Sequence, residues 1–149
     1  MGDLQSVRDE LDIQRVIHDY AWGCDNRDWG LLKSIFTDDA QLDYTSTGGP
    51  AGARDEVVAW LEQGLTQLDW IHHVVSNFQI DLDGDRADVR AMFHCSAQLP
   101  GVDDILVTGG YYDETFVRTA DGWKIERLYE DNRWMKNPSP AATAPRRDA

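Results

Sequence analysis

From Ala87 to Leu99 every second residue is apolar. Ala87, Val89, Ala91, Phe93, Cys95, Ala97 and Leu99 alternate with polar or mixed positions. Successive side chains of a strand point to opposite faces, so this run describes one long strand with one buried face. Its neighbours share that character. Ile71 to Leu82 reads as a strand, closed by the hairpin "DLDGDRADV" with its Asp-Gly turn signal. Ile105 to Thr119 and Trp123 to about Trp134 are two more, joined by the tight turn "ADG". Gly109 and Gly110, inside the third run, predict a bulge or a close backbone approach.

The first half of the chain has a different period. Ile13, Val16, Ile17, Tyr20, Ala21 and Cys24 fall three and four residues apart and form one apolar stripe of a helix over Leu4–Cys24, with Asp3 as N-cap. Asp28 is placed to cap a short second helix from Trp29 to about Phe36. A strand near Ala40–Thr45 and a loop, "GGPAGARDE", precede a third helix over Arg54–Leu68, with Val57, Val58, Leu61, Leu65 and Leu68 as its stripe. Helices first and a meander of strands after them predict an α+β fold. We expect a curved, mostly antiparallel sheet wrapped around three helices, cone-shaped, with an internal cavity. Residues 1–136 read as a single domain. The Pro/Ala-rich tail 137–149 is expected to order only by lying on the cavity mouth or a neighbouring subunit.

Charge narrows the function. Fourteen basic against twenty-seven acidic residues give a net charge of −13. Nucleic acid and anionic membrane surfaces both need a basic patch, so neither is an expected partner. Cys24 and Cys95 sit inside apolar patterns and read as small buried hydrophobes, not as a disulfide framework. No histidine, cysteine or acid cluster has ligand spacing, so no metal is expected, and no Gly-rich phosphate loop suggests a cofactor. The chain opens without a basic segment and apolar run of signal type, and the expected location is cytoplasmic.

One residue breaks the pattern. Asp25 follows Ala21 by four and continues the apolar stripe toward the core, where a charge is costly unless something pairs with it. Acids after helices commonly cap or turn the chain. A histidine from "WIHHVVSN" is the candidate partner. In a strand His72 and His73 point to opposite faces. Phe78, Ile80 and Leu82 share parity with His72, which leaves His73 on the more polar face unless a bulge swaps them. Parity does not choose between the two.

The order "Y…D…RDW…IFTDDA…DY…H…VSN…DGDRADV…GGYYDE…RTADGWKI" resembles the SnoaL-like branch of the cone-shaped superfamily that includes nuclear transport factor 2. More narrowly, it resembles the scytalone dehydratase group and its relatives, the bile-acid dehydratases and hexachlorocyclohexane dehydrochlorinase. The resemblance spans about Leu11 to Trp134. "CDNRDW" matches the group's motif around its cavity acid, which puts that role on Asp25. "HVVSN" matches the segment that begins with the catalytic histidine, which puts that role on His73. "LDYTS" matches a strand with a substrate-facing tyrosine, here Tyr44, and Tyr20 matches the tyrosine of the bile-acid dehydratase pattern. "EDNRW" resembles the C-terminal strand. The surrounding shell departs from the group: Cys24 stands for a tyrosine, Gly110 and Tyr112 for a serine and an asparagine, and Tyr20 for the dehydrochlorinase lysine. His94 lies on the strand that carries a second histidine.

The resemblance implies a cofactor-independent lyase, a dehydratase that eliminates water or another small leaving group from a cyclic hydrophobic substrate. His73 would be the general base and Asp25 its holder. Tyr20, Tyr44, Cys24, Trp22, His94 and Tyr112 would contact substrate. An isomerase or polyketide cyclase on the same cavity, or a non-catalytic ligand-binding or assembly protein, are the alternatives. By the same resemblance the chain forms a homo-oligomer, a trimer or else a dimer.

Overall fold

A computed structural model describes residues 4–138. Helix α1 (Leu4–Asn26) leads through a tight turn to α2 (Trp29–Ser34). The Asp28 carboxylate accepts the Leu31 amide hydrogen at 2.9 Å, so α2 starts on the side-chain cap its sequence offers. Next come β1 (Phe36–Asp43), a 3-10 turn at Thr45–Thr47, the short strand β2 (Ala51–Ala53) and α3 (Arg54–Leu65). The long strands β3 (Trp70–Asp83), β4 (Arg86–Gln98), β5 (Leu106–Thr119) and β6 (Gly122–Lys136) complete the chain. The predicted cap Asp3 and tail residues 139–149 lie outside the described residues.

All six strands form one curved, unclosed sheet in the order β2-β1-β6-β5-β4-β3. Among the described residues only the β1–β6 pair is parallel. The β3–β4 hairpin turns at Gly84, whose φ of 60° suits a residue without a β-carbon. The alternating residues of β4 are buried as their period demands, in the same core as the inner stripe of α1. The strand expected at Ala40–Thr45 begins earlier, at Phe36, and the third helix ends at Leu65, three residues short of its stripe. Strand β2 was not legible, because three residues are too few to show a period.

Two irregularities shape the sheet around its cavity. In β3 the pairing slips between Ser76 and Gln79, and Asn77 takes a φ of 53°. In β5 the pairing with β6 slips between Gly109 and Gly110. A β-carbon on Gly110 would lie 2.1 Å from the Asp131 carbonyl oxygen, so the close approach predicted there requires glycine.

At its N-terminal end α1 is pinned to the sheet. Buried Asp9 accepts two bonds from the Arg118 guanidinium, both at 2.8 Å, and one from the Trp123 indole at 3.0 Å. Arg118 also lies over the Trp123 ring. No helix among the described residues is long and apolar enough to cross a membrane.

Candidate active site

The last turn of α1 runs past β3, one of the two edge strands of the described sheet. Edge strands carry backbone donors with no ladder partner. Asp25 meets one of them: its Oδ2 accepts the His73 backbone N–H at 2.9 Å, and its Oδ1 lies 2.6 Å from His73 Nδ1. A single carboxylate thus holds the histidine by main chain and ring together. An acid in the last turn of a helix faces the negative end of the helix dipole. Asp25 therefore caps nothing in α1, and the cap of α2 is Asp28. The His73 side chain is 7% exposed and that of Asp25 18%.

The β3 bulge decides which histidine faces inward. Ile71, His73 and Val75 point to the core side, and after Asn77 the same side is taken by Phe78, Ile80 and Leu82. The extra residue swaps parity. The polar face expected for His73 from simple alternation is therefore corrected: His73 is on the cavity side, and His72 is outside against Trp70.

His73 lines a cavity of about 760 Å³ between α3, the turn that follows it and the inner face of β3–β6. That is room for a ring-sized ligand. Its walls are mainly apolar, from Trp60, Leu61, Leu65, Phe93, Ala97 and Leu106. The polar groups are few. Tyr20 and Tyr44 bring their hydroxyls together at 2.7 Å, and Tyr20 packs edge-on against both His73 and Tyr112. Tyr112 stacks on Phe93. Burial pushes all three tyrosines well above their ordinary range, so they are neutral O–H donors throughout. In the Tyr20–Tyr44 pair one hydroxyl donates to the other, which leaves one proton for a ligand.

Three of the expected substrate contacts do not face this cavity. Cys24 is buried between helix and sheet, its thiol pushed up by desolvation, and does not line the cavity. Trp22 is 65% exposed, because one step beyond Ala21 rotates it off the inner stripe. It borders a small outer pocket with His18, His72 and the back of Asp25. His94 alternates with buried Phe93 and Cys95, so it faces outward against Trp134.

The structure adds a residue the motifs did not single out. Glu130 of β6 is buried on the cavity wall, and the Thr47 hydroxyl donates to its Oε1 at 2.9 Å. It shares parity with buried Leu128, which was the available signal. Among the described residues no three histidine, cysteine or acidic side chains converge as a metal ion would need.

Residues 5–129 match the SnoaL-like domain. An uncharacterised protein of Mycobacterium tuberculosis is 34% identical over 137 residues, covering 91% of this chain and 93% of that one. The chain belongs to the SnoaL-like family. Solved relatives include a putative scytalone dehydratase from Novosphingobium aromaticivorans, with a TM-score of 0.81, 19% identity and 90% of each chain covered. A hexachlorocyclohexane dehydrochlorinase from Novosphingobium barchaimii superposes with a TM-score of 0.79 at 20% identity, covering 91% of this chain and 93% of that one. At those identities the likeness establishes the shared SnoaL-like fold.

Proposed function

We propose that this SnoaL-like protein is a cofactor-independent lyase, a dehydratase acting on a cyclic hydrophobic substrate with an activated C–H bond. The observation that carries this reading is the doubly hydrogen-bonded Asp25–His73 pair opening on an apolar cavity. With Asp25 on Nδ1, the ring keeps its proton there and leaves Nε2 as the base. Nε2 takes a proton from the carbon next to a carbonyl. Asp25 stabilises the imidazolium that forms. The Tyr20–Tyr44 pair donates its one free proton to the oxygen on which negative charge grows, and loss of the β-substituent completes the elimination.

Turnover of a panel of cyclic β-hydroxy ketones tests this. The wild type is expected to eliminate water from at least one of them, and His73→Ala to lose that activity with an unchanged melting temperature. A wild type that binds such ketones but turns none over would instead make the cavity a ligand-binding site.

We further propose that the protein is a homo-oligomer, with a trimer as first expectation. Val74, Met92 and Trp134 are exposed on the outer face of the sheet, around His94 and Tyr111. Such a mixed aromatic surface suits burial against a second copy. Light scattering that reports a monomer at micromolar concentration would overturn this.

A further inference from the structure

Elimination of water takes a proton from carbon and gives one to the leaving hydroxyl, and in the reading above the Asp25–His73 pair performs the first transfer. The cavity holds a second group able to supply the other. Glu130 is 8% exposed, on β6, with strands β5 and β4 between it and the His73 strand. The same cavity touches both side chains.

Its placement is built rather than incidental. The Thr45–Thr47 turn docks on β6 at this residue. The Ser46 hydroxyl donates to the Glu130 carbonyl oxygen and accepts the Asn132 amide hydrogen at 3.0 Å. Thr47 holds carboxyl oxygen Oε1. Oε2 has no hydrogen-bond partner among the described residues, yet it is not sealed from the cavity. A carboxylate there would have one neutral donor. The titratable groups within reach of its charge are Tyr20 and, behind the cavity wall, Cys24 from α1, with Tyr44, Cys95 from β4 and Tyr112 from β5, and His73 from β3 lines the same cavity. Among the described residues no lysine or arginine lines the cavity. A carboxyl with no cation and one hydroxyl donor favours its neutral form. Burial accordingly pushes Glu130 up to about 7, against the pull of Thr47.

We propose that Glu130 is the general acid of this site, a carboxylic acid that protonates the departing hydroxyl while His73 takes the proton from carbon. The inference rests on the dehydratase reading above. In the step, the C–H electron pair forms the new double bond and its proton goes to His73 Nε2. The C–O bond breaks, and the Glu130 proton joins the leaving hydroxyl, which departs as water. The enzyme is left as imidazolium and carboxylate. The proton then passes from imidazolium to carboxylate through solvent, which restores both groups. The substrate class sharpens with this: a ring bearing a hydroxyl, a poor leaving group without an acid, placed β to a carbonyl.

Two measurements test it. The first needs no substrate. The infrared difference between wild type and Glu130→Gln should contain the C=O stretch of a neutral carboxylic acid at pH 6, fading as pH rises through about 7. An ionised carboxylate at pH 6 overturns the proposal and would suit a cationic ligand instead. The second compares two substrates, a cyclic β-hydroxy ketone and the β-halo ketone of the same ring. A halide departs without a proton. Glu130→Gln should therefore lose roughly 10²–10⁴-fold on the hydroxy substrate, the span of general acid catalysis, and keep halide elimination within about twofold. His73→Ala should lose both. Equal losses on both substrates in Glu130→Gln overturn the acid role. Wild-type inactivity on both overturns the dehydratase reading itself. Should the glutamine variant fail to fold, Glu130→Leu, which fills the site without a polar atom, carries the same comparison.

Discussion

Helix α1 presents an acid to the interior near each of its ends. Asp9 meets a guanidinium fork and an indole N–H, and every bond it makes is to a donor with no other task in the cavity. The Arg118 hydrogen bonds hold its carboxyl far below the usual carboxylate range. Asp25 meets a backbone N–H and the imidazole of a residue that lines an open volume. The first acid is saturated by a permanent cation. The second is paired with a group that can gain and lose a proton. Both acids belong to one amphipathic pattern, and what separates them is the partner that the sheet brings opposite each.

The largest effect expected is on chemistry at the Asp25 end. Asp25→Asn can still accept the His73 backbone N–H, but its amide would donate to Nδ1 and move the ring proton to Nε2. The base then points nowhere useful. We expect a loss of roughly 10²–10⁴-fold in kcat, comparable to His73→Ala, with little change in melting temperature. An asparagine variant that turns over normally but melts earlier would make both ends of α1 structural.

At the other end the effect is on stability. Asp9→Asn leaves Arg118 and the Trp123 N–H short of an acceptor. Breaking a fully buried pair costs about 3–5 kcal/mol. Because the Arg118 side chain is 33% exposed and can turn to water, about 2–3 kcal/mol is expected here. Turnover per folded molecule should be unchanged. Denaturant titration and kinetics on the same sample separate the two quantities, and a kcat loss without a stability loss would reverse the assignment.

Much of this contrast could be read from the chain. The switch from helical to alternating period located every long element, and Asp25 stood out because its spacing put a charge on an apolar stripe. Its partner could not be found by alternation. One extra residue at Asn77 inverts the parity of β3, and an asparagine in the left-handed region leaves only a faint local mark. The resemblance singled out His73, and the bulge explains how that residue reaches the cavity. Trp22 and His94 went the other way: helical rotation and strand alternation already placed them outward, against the pull of the motifs. Glu114 and Glu130 were legible but unread. Each shares parity with buried neighbours, Tyr112 and Phe116 for one, Leu128 for the other.

Those two acids give a smaller effect with a definite sign. Burial pushes Glu114 up to about 8 and Glu130 up to about 7. Glu114 Oε2 is buried with no hydrogen-bond partner among the described residues. Between the ordinary glutamate value of 4.5 and these values the folded chain keeps protons that the unfolded chain releases. Stability from these groups is complete below about pH 4.5 and is lost as pH rises through 7 and 8. Asp9 works in the opposite window: its stabilisation is present above the ordinary value of 3.8 and lost in stronger acid. Melting curves should therefore fall from pH 6 to pH 8. Glu114→Gln should flatten that fall and gain about 1–3 kcal/mol at pH 8. A wild-type melting temperature that rises over this interval would contradict the sign.

The smallest expected effect measures whether the two ends of α1 are independent. Sixteen residues separate Asp9 from Asp25, which at a rise of 1.5 Å per residue is about 24 Å along the helix. Their partners do not overlap: Arg118 and Trp123 lie on β5 and β6, His73 on β3. Residues that far apart with no shared partner should add within about 0.3–0.5 kcal/mol. In a double-mutant cycle of Asp9→Asn and Asp25→Asn, the stability change of the pair should equal the sum of the singles within that margin. The kcat loss should be that of Asp25→Asn alone. A coupling above about 1 kcal/mol would mean that α1 transmits strain as a rigid rod, so that the Arg118 clamp at one end sets where Asp25 sits at the other.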